Sequence, residues 1–462
     1  MESKDILQYV ERDKDQLGII DILIQDTDNK EIKDSKIAGN FFPVVMIHNE
    51  KDVESLNVGQ TIQFKDILTF ELSSKGFLPT LNLRFVDSSG FFSSLSFNVE
   101  SSILNIYLKS NNETVFKPVH LNMDILHIKP SGTYQDSNTY IMQCQLRIPN
   151  LYTEFCEGMP EMSSYNALME IANKLHLGFC SNEEDTDDIM TWINPFSTNY
   201  EHIEDIALHS YKDVNSFFNT FIDVYYNLNM ININACFGND NTMMGEAYNG
   251  ISDLKNINAE FETIPLFITN RSELNSLQRY ITSYKLVSNT TKTVLQNGYK
   301  RKLQFYNQID NTYLETDDMF VIPISQSEQT EDSWSGINKE YVDKYIKYKY
   351  MGKQNENVHD FYMFSKMWNY QNLMDLTQNV LVVELRGIDL SLYRFQTIPV
   401  FIYEYNTMTN KAIAMKEEKP ENETQLNEFL SGKYVILYID WSYSYPGNLY
   451  QKLYLIKRNY KK

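Results

Sequence analysis

From Gly18 to Ile148 apolar and polar residues alternate with a period of two, the spacing of strands that bury one face. Ile20, Ile22 and Ile24 alternate with Asp21, Leu23 and Gln25, and Leu81, Leu83 and Phe85 alternate with Asn82 and Arg84 before a turn at Asp87-Ser88-Ser89-Gly90. Leu104, Ile106 and Leu108 carry the pattern into a turn at Asn111-Asn112. Tyr140, Met142, Cys144, Leu146 and Ile148 close it, with Gln143, Gln145 and Arg147 on the opposite face. The pattern predicts an antiparallel β-domain over the first third of the chain.

At Ser163 the period changes. Ser163 or Ser164 is placed to cap a helix whose apolar stripe is Ala167, Leu168, Ile171, Ala172 and Leu175, and Gly178 is placed to end it. NSFFNTFIDVYYNLN predicts a second amphipathic helix with Phe217, Phe218, Phe221, Ile222 and Tyr225 on one face, and MININ after it reads as a strand. Residues 160 to 236 therefore read as an α/β segment between β-rich parts. Further on come a helix from Val358, a strand LVVEL from Leu381, YRFQTIPVFIYEY, and a terminal hairpin turning at Pro446-Gly447. Two polar stretches, 325 to 340 and 415 to 429, read as exposed loops.

The chain has 462 residues, enough for about three domains at roughly 150 residues each, and is 42% hydrophobic. It contains no run of about 18 apolar residues, and MESKDILQYVERDKDQ lacks the basic-then-apolar order of a signal peptide, so maturation in a cytoplasm is expected. Its 61 acidic residues outnumber 41 basic ones, a formal charge of -20, which disfavours tight binding of nucleic acid or anionic lipid. Aromatic residues reach 13%, including 32 tyrosines, against 17 glycines and 12 prolines, a mix that favours half-buried sheets and subunit faces. The four cysteines, Cys144, Cys156, Cys180 and Cys236, match no zinc or disulfide spacing and read as reduced core residues.

Candidate chemistry centres on EEDTDD at 183 to 188. It lacks EF-hand spacing, and Asp187 and Asp188 diverge in any regular element. The reading is a solvated loop with N-capping aspartates, the alternatives a weak cation site or an acid/base pair. Trp192 and Ile193, just beyond, are expected to be buried against the helix at 164 to 175. His202 and His209, with Glu201, Glu204 and Asp205 nearby, fall short of HExxH and read as surface or partly buried. KEYVDKYIKYKYMGK from Lys339 interleaves lysine with tyrosine, a strand or helix edge meeting an acidic neighbour or, alternatively, a stacking surface for single-stranded nucleic acid. GxSxG, P-loop and GxGxxG motifs are absent. No catalytic, cofactor-binding or metal-binding residue is assigned.

The run from SSYNALMEIANKLHLGF through DIMTWINPF and EHIEDIALH to NLNMININ resembles the corresponding region of central baseplate hub proteins of large T-even-like contractile-tailed phages. NVHDFYMFSKMWNYQNL, LVVELRGIDLSLYRFQTIPVFIY and LSGKYVILYIDWSY are similar to the second half of that family. The resemblance implies an α+β, β-rich fold with two tube-type antiparallel β-barrel domains, an α/β insertion and a further small α/β part. Its expected division is an N-terminal arm (1-17), a first tube-type β-domain (18-159), the insertion (160-240), return strands of the first β-domain with connecting loops (241-357), and a helix with the second tube-type β-domain (358-462). It implies a non-enzymatic virion protein without cofactors: a homotrimer in the tail baseplate, assembled in the host cytoplasm. The ring would contact tail tube, central spike and baseplate wedge proteins, with no membrane and no specific nucleic-acid binding as DNA passes through its lumen. The alternative function is a tail-associated polysaccharide-binding or glycoside-degrading protein.

Overall fold

The structure is a computed structural model and describes residues 8–9, 43–49, 60–88, 90, 92, 102–108, 119–134, 137–237, 266–268, 280–288, 300–315, 319–320, 346–354, 357–375, 379–386, 388–390, 392–405, 424–427, 429–445 and 450–457. In chain order the elements are β1 (Gln8–Tyr9), β2 (Val44–Asn49), β3 (Gln60–Ile62), β4 (Ile67–Ser73), β5 (Thr80–Val86), β6 (Ser102–Leu108), β7 (Val119–Tyr134), β8 (Ser137–Leu146) and β9 (Glu154–Met162). Then follow α1 (Ser164–Lys174), β10 (Gly178–Ser181), β11 (Met190–Thr198), α2 (Asn199–His209), β12 (Phe218–Ile222), β13 (Asn227–Asn232) and α3 (Ile233–Phe237). The remainder comprises β14 (Leu266–Ile268), β15 (Ile281–Ser288), β16 (Lys300–Asn307), β17 (Thr312–Glu315), β18 (Met319–Phe320), β19 (Ile346–Gln354), α4 (Tyr362–Asp375), β20 (Asn379–Arg386), β21 (Thr397–Tyr405), β22 (Thr424–Leu426), β23 (Gly432–Ser444) and β24 (Tyr450–Ile456).

The fold is α+β and β-rich, with few helices and mostly antiparallel sheets. Period-two patterning gives the expected strands: in β5, Leu81, Leu83 and Phe85 are buried while Asn82 and Arg84 are exposed. One sheet runs β15-β20-β24-β23-β4-β5-β8-β7-β6-β2-β3, with β21, β14 and β22 branching from β23. Its first-third strands and its C-terminal strands belong to this one hydrogen-bonded sheet. The join is an antiparallel ladder between β4 and β23, from Asp440 opposite Ser73 to Ser444 opposite Thr69. β14 and β15, expected among return strands of the first β-domain, pair instead with β21 and β20 of the second.

Strands of residues 160 to 240 take part in the sheet β1-β10-β13-β12, whose β1 comes from the N-terminal arm, and in the two-stranded ribbon β9/β11, most of whose β9 precedes residue 160. The helix expected over NSFFNTFIDVYYNLN is a β-hairpin, Phe218 opposite Asn232 through Ile222 opposite Leu228. Phe218 and Ile222 pack into the main core while Phe217 and Phe221 pack into a second cluster with Trp368 and Phe395, so a strand buried on both faces mimics a helical stripe. Asp223 fixes the turn by accepting the backbone N–H groups of Tyr225 and Asn227, with Tyr226 at φ 62. Gly178 does not end α1, whose last turn closes at Leu175; it opens β10, where a Cβ would lie 2.1 Å from Asn227 Oδ1.

The expected helix near Val358 is α4, LVVEL lies in β20, and the terminal strands β23 and β24 pair as a hairpin. Part of the expected loop at 415 to 429 is instead β22, paired with β21 from Tyr405 opposite Thr424 to Tyr403 opposite Leu426. The strand at Ile20–Gln25, the turns at Asn111-Asn112 and Pro446-Gly447, loop 325 to 340 and residues 415 to 423 lie outside the described residues, as does the start of the lysine–tyrosine stretch.

Candidate functional site

The aspartate loop is a support for helix α1. Ser163 is its N-cap, and Asp185 Oδ1 accepts the Ser163 hydroxyl at 2.6 Å and the Thr186 N–H at 2.9 Å. Asp188 is fully buried, correcting the solvated reading at this position. Its Oδ1 accepts the Ser164 N–H at 2.8 Å and the Thr186 hydroxyl at 2.7 Å; its Oδ2 accepts the Ser164 hydroxyl at 2.6 Å and the Tyr211 N–H at 2.8 Å. Four donors thus satisfy this buried side chain at the N-terminus of α1. Asp185 and Asp187 are exposed, as expected. Trp192 is buried, its Nε1 donating to the Met162 carbonyl at 3.0 Å, but Ile193 is 59% exposed because alternation along β11 turns it to the opposite face.

Helix α2 starts with a capping box: Thr198 Oγ1 accepts the Glu201 N–H and Glu201 Oε2 accepts the Thr198 N–H. Glu204 accepts the Tyr200 hydroxyl, so both glutamates serve the helix itself. His202 and His209 are buried, not surface groups, and burial holds both below the ordinary histidine range. His209 Nδ1 lies 3.0 Å from the Tyr362 carbonyl; its ring stacks on Tyr362 at 3.5 Å, and Nε2 lies 3.5 Å from Asp205 Oδ1. Burial pushes the Asp205 carboxyl up, but hydrogen bonding and charge from His209, with Lys366, outweigh it and leave Asp205 below its usual range.

The C-terminal end of α2 docks on α4. Its last carbonyls have no partners within the helix. Asn369 Nδ2 donates to the Leu208 carbonyl at 2.9 Å and the Ser210 carbonyl at 2.8 Å, while its Oδ1 accepts the Phe218 N–H. Ser365 Oγ and His359 Nε2 both donate to the His209 carbonyl. This polar seam ties the insertion to the C-terminal part.

A second junction joins all three parts through Arg394. Its Nε donates to the Leu437 carbonyl at 3.2 Å, and its Nη1 to the Ser74 and Gly76 carbonyls at 2.9 and 2.8 Å. The guanidinium lies 3.9 Å from the Phe221 ring centroid. A register shift between Ile436 and Tyr438 accompanies the turning of the Leu437 carbonyl to Arg394. Burial pushes the Arg394 pKa down to about 10, so it remains charged at neutral pH. Beside it, Ser74 exchanges three hydrogen bonds with Ile439, and Lys75 pairs with Asp440 at 3.1 Å.

Cys144, Cys180 and Cys236 are buried free thiols; Cys156, expected in the core, is exposed on β9. Burial raises the Cys144 thiol and pushes Cys236 up to about 12, which suppresses their reactivity. Among the described residues no group of three metal-ligating side chains converges, and no helix is long and apolar enough to cross a membrane. The Arg394 and Asn369 contacts tie the first-third strands, residues around α2 and β12, and the C-terminal strands to one another.

No protein-family model matches the chain, and no curated protein matches it in sequence. Its structure is similar to those of tail proteins. A tail protein from Neisseria meningitidis MC58 is 8% identical with a TM-score of 0.48, covering 90% of this chain and 96% of its own. The 43 kDa tail protein of prophage MuSo2 from Shewanella oneidensis is 10% identical with a TM-score of 0.47, covering 90% and 97%. The E. coli c3393 protein, described as a type VI secretion component with structural similarity to T4 bacteriophage tail proteins gp27 and gp5, is 11% identical with a TM-score of 0.40, covering 86% and 76%.

Proposed function

We propose that the chain is a non-enzymatic structural protein of a contractile phage tail: a baseplate hub forming a homotrimeric, pseudo-sixfold ring between a hexameric tail tube and a trimeric central spike. The observation that carries this reading is the β4–β23 ladder, which joins the first-third strands to the C-terminal strands in one sheet and supports a subunit built of two β-domains side by side. A subunit with two such positions needs only threefold symmetry to offer six. The Arg394 and Asn369 junctions support it, because a symmetry adaptor must hold its two domains in a fixed relation.

The net charge of -20 suits a lumen through which DNA slides without adhering, and the reading places the protein in the virion baseplate after assembly in the host cytoplasm. Tube, spike and wedge proteins are its proposed partners. Sedimentation equilibrium of the chain, alone and co-expressed with the tube and spike proteins, tests the proposal: a particle containing three copies is expected, and a chain that stays single in every mixture overturns it.

A further inference from the structure

The seam between α2 and α4 has two ends of different chemistry. At one end Asn369 holds the Leu208 and Ser210 carbonyls and the Phe218 N–H, contacts that a change of pH near neutrality leaves alone. At the other end two histidines cross the seam in opposite directions. His209, the last residue of α2, sets Nδ1 3.0 Å from the Tyr362 carbonyl of α4, and His359, which precedes α4, sets Nε2 3.0 Å from the His209 carbonyl. His209 is 1% exposed and His359 8%.

Aromatic rings close this end. His209 stacks on Tyr362, Tyr211 stacks on Phe361 at 4.1 Å, and Trp192 of β11 lies 6.4 Å from His359. Charged groups act on the pair from both sides. Asp205 of α2 favours a charged His209 and Lys366 of α4 opposes it. Asp188 of the aspartate loop and Asp360 favour a charged His359, and His209 opposes it. Burial outweighs the carboxylates at both rings and holds each below the ordinary histidine range.

We propose that this end of the seam is an acid-sensitive latch: protonation of His209 and His359 frees the first turn of α4 from the end of α2, while Asn369 holds the rest of the seam and the main sheet stays folded. A second proton turns either ring into a buried cation, and the two cations stand close together. In the open form both rings reach water and bind protons at about pH 6.5, as ordinary histidines do. The closed form therefore binds fewer protons than the open one, and acid favours opening. The latch is at full strength above about pH 6.5 and weakens as pH falls below it. Opening stops after the first turn because the rest of α4 is held by apolar contacts that do not titrate. Phe364 and Trp368 pack with Phe217, Phe221 and Phe395, and Met363 and Met367 pack on Leu303.

Hydrogen–deuterium exchange of the full chain at about pH 7.5 and about pH 5, with labelling times scaled for the intrinsic exchange rate, tests the latch. Peptides over 205 to 212 and 358 to 366 should lose protection at least tenfold at the lower pH. Peptides over 367 to 375 and over β23 should keep theirs. In a chain carrying H209Q and H359Q, whose amides still donate to carbonyls but take up no proton, the same peptides should exchange alike at both pH values.

Wild-type protection that is equal at the two pH values overturns the latch. A loss that spreads equally through β23 is global unfolding and overturns it as well. A loss as large in the double variant places the pH response elsewhere, and the proposal fails. Should the double variant not fold at about pH 7.5, judged by circular dichroism, H359Q alone replaces it, and a response undiminished in that chain overturns the latch.

Discussion

Replacing Arg394 by Met removes the cation that joins the three parts while keeping much of its length. Three carbonyls, of Ser74, Gly76 and Leu437, then lose their donors. A buried acceptor left without a partner costs about 1 to 3 kcal/mol, so the three cost about 3 to 9. Loss of the cation over Phe221 adds about 2 kcal/mol. Against this, the buried charge itself is unfavourable: burial lowers its pKa from 12.5 to about 10, which at about 1.4 kcal/mol per pH unit returns about 3 kcal/mol when the charge is removed. The orphaned carbonyls win, and the net loss is about 2 to 8 kcal/mol.

Urea unfolding followed by tryptophan fluorescence is the assay, with Trp441 in β23 at the domain junction as a reporter. The expected result is an earlier transition in R394M, with the two β-domains separating into distinct steps, and a smaller loss in R394K. A single transition displaced by less than about 0.5 kcal/mol would show that Arg394 does not couple the domains.

Trp192→Ala should destabilise the fold by about 3 to 5 kcal/mol, read as a lower melting temperature; an unchanged value would place the ring outside the core. Asp188→Asn turns one carboxylate oxygen into a donor facing groups that themselves donate, and should cost about 2 to 4 kcal/mol, whereas Asp187→Asn at an exposed position should change stability by less than about 0.5. Equal effects of the two in thermal melts would refute the assignment. Burial holds His120, His202, His209 and His359 below 6.5, with His120 at about 4. The unfolded chain therefore binds protons first as pH falls. Stability present above pH 6.5 should decline as pH drops from 6.5 toward 4, and melts independent of pH across that window would contradict the burial.

Much of the fold was legible. Alternation in TLNLRFV, SILNIYL and SNTYIMQCQL located β5, β6 and β8, and Ser163 with its apolar stripe located α1. β12 was not, because a short strand buried on both faces carries no polar face to reveal its period. The aspartate loop misled for a related reason: DTDD looks solvated until Ser164 and Tyr211, more than twenty residues away on either side, bring donors to Asp188. Arg394 was invisible, since its partners at Ser74 and Gly76 are backbone carbonyls about 320 residues earlier that carry no side-chain signature. The capping box in TNYE was readable locally, and Glu201 was instead grouped with the histidines. The exposure of Ile193 and Phe196 was hidden because it depends on register and a bulge.

In the proposed hub one chain supplies two of six ring positions. Electron-microscopy imaging of the co-expressed tube, hub and spike assembly, averaged without imposed symmetry, measures it directly. A threefold ring of three 54.2 kDa chains is expected, with six β-domains around a lumen lined mostly by Asp, Glu, Asn, Ser and Thr. A ring of six copies, or a single copy attached at the side of the tube, would contradict it.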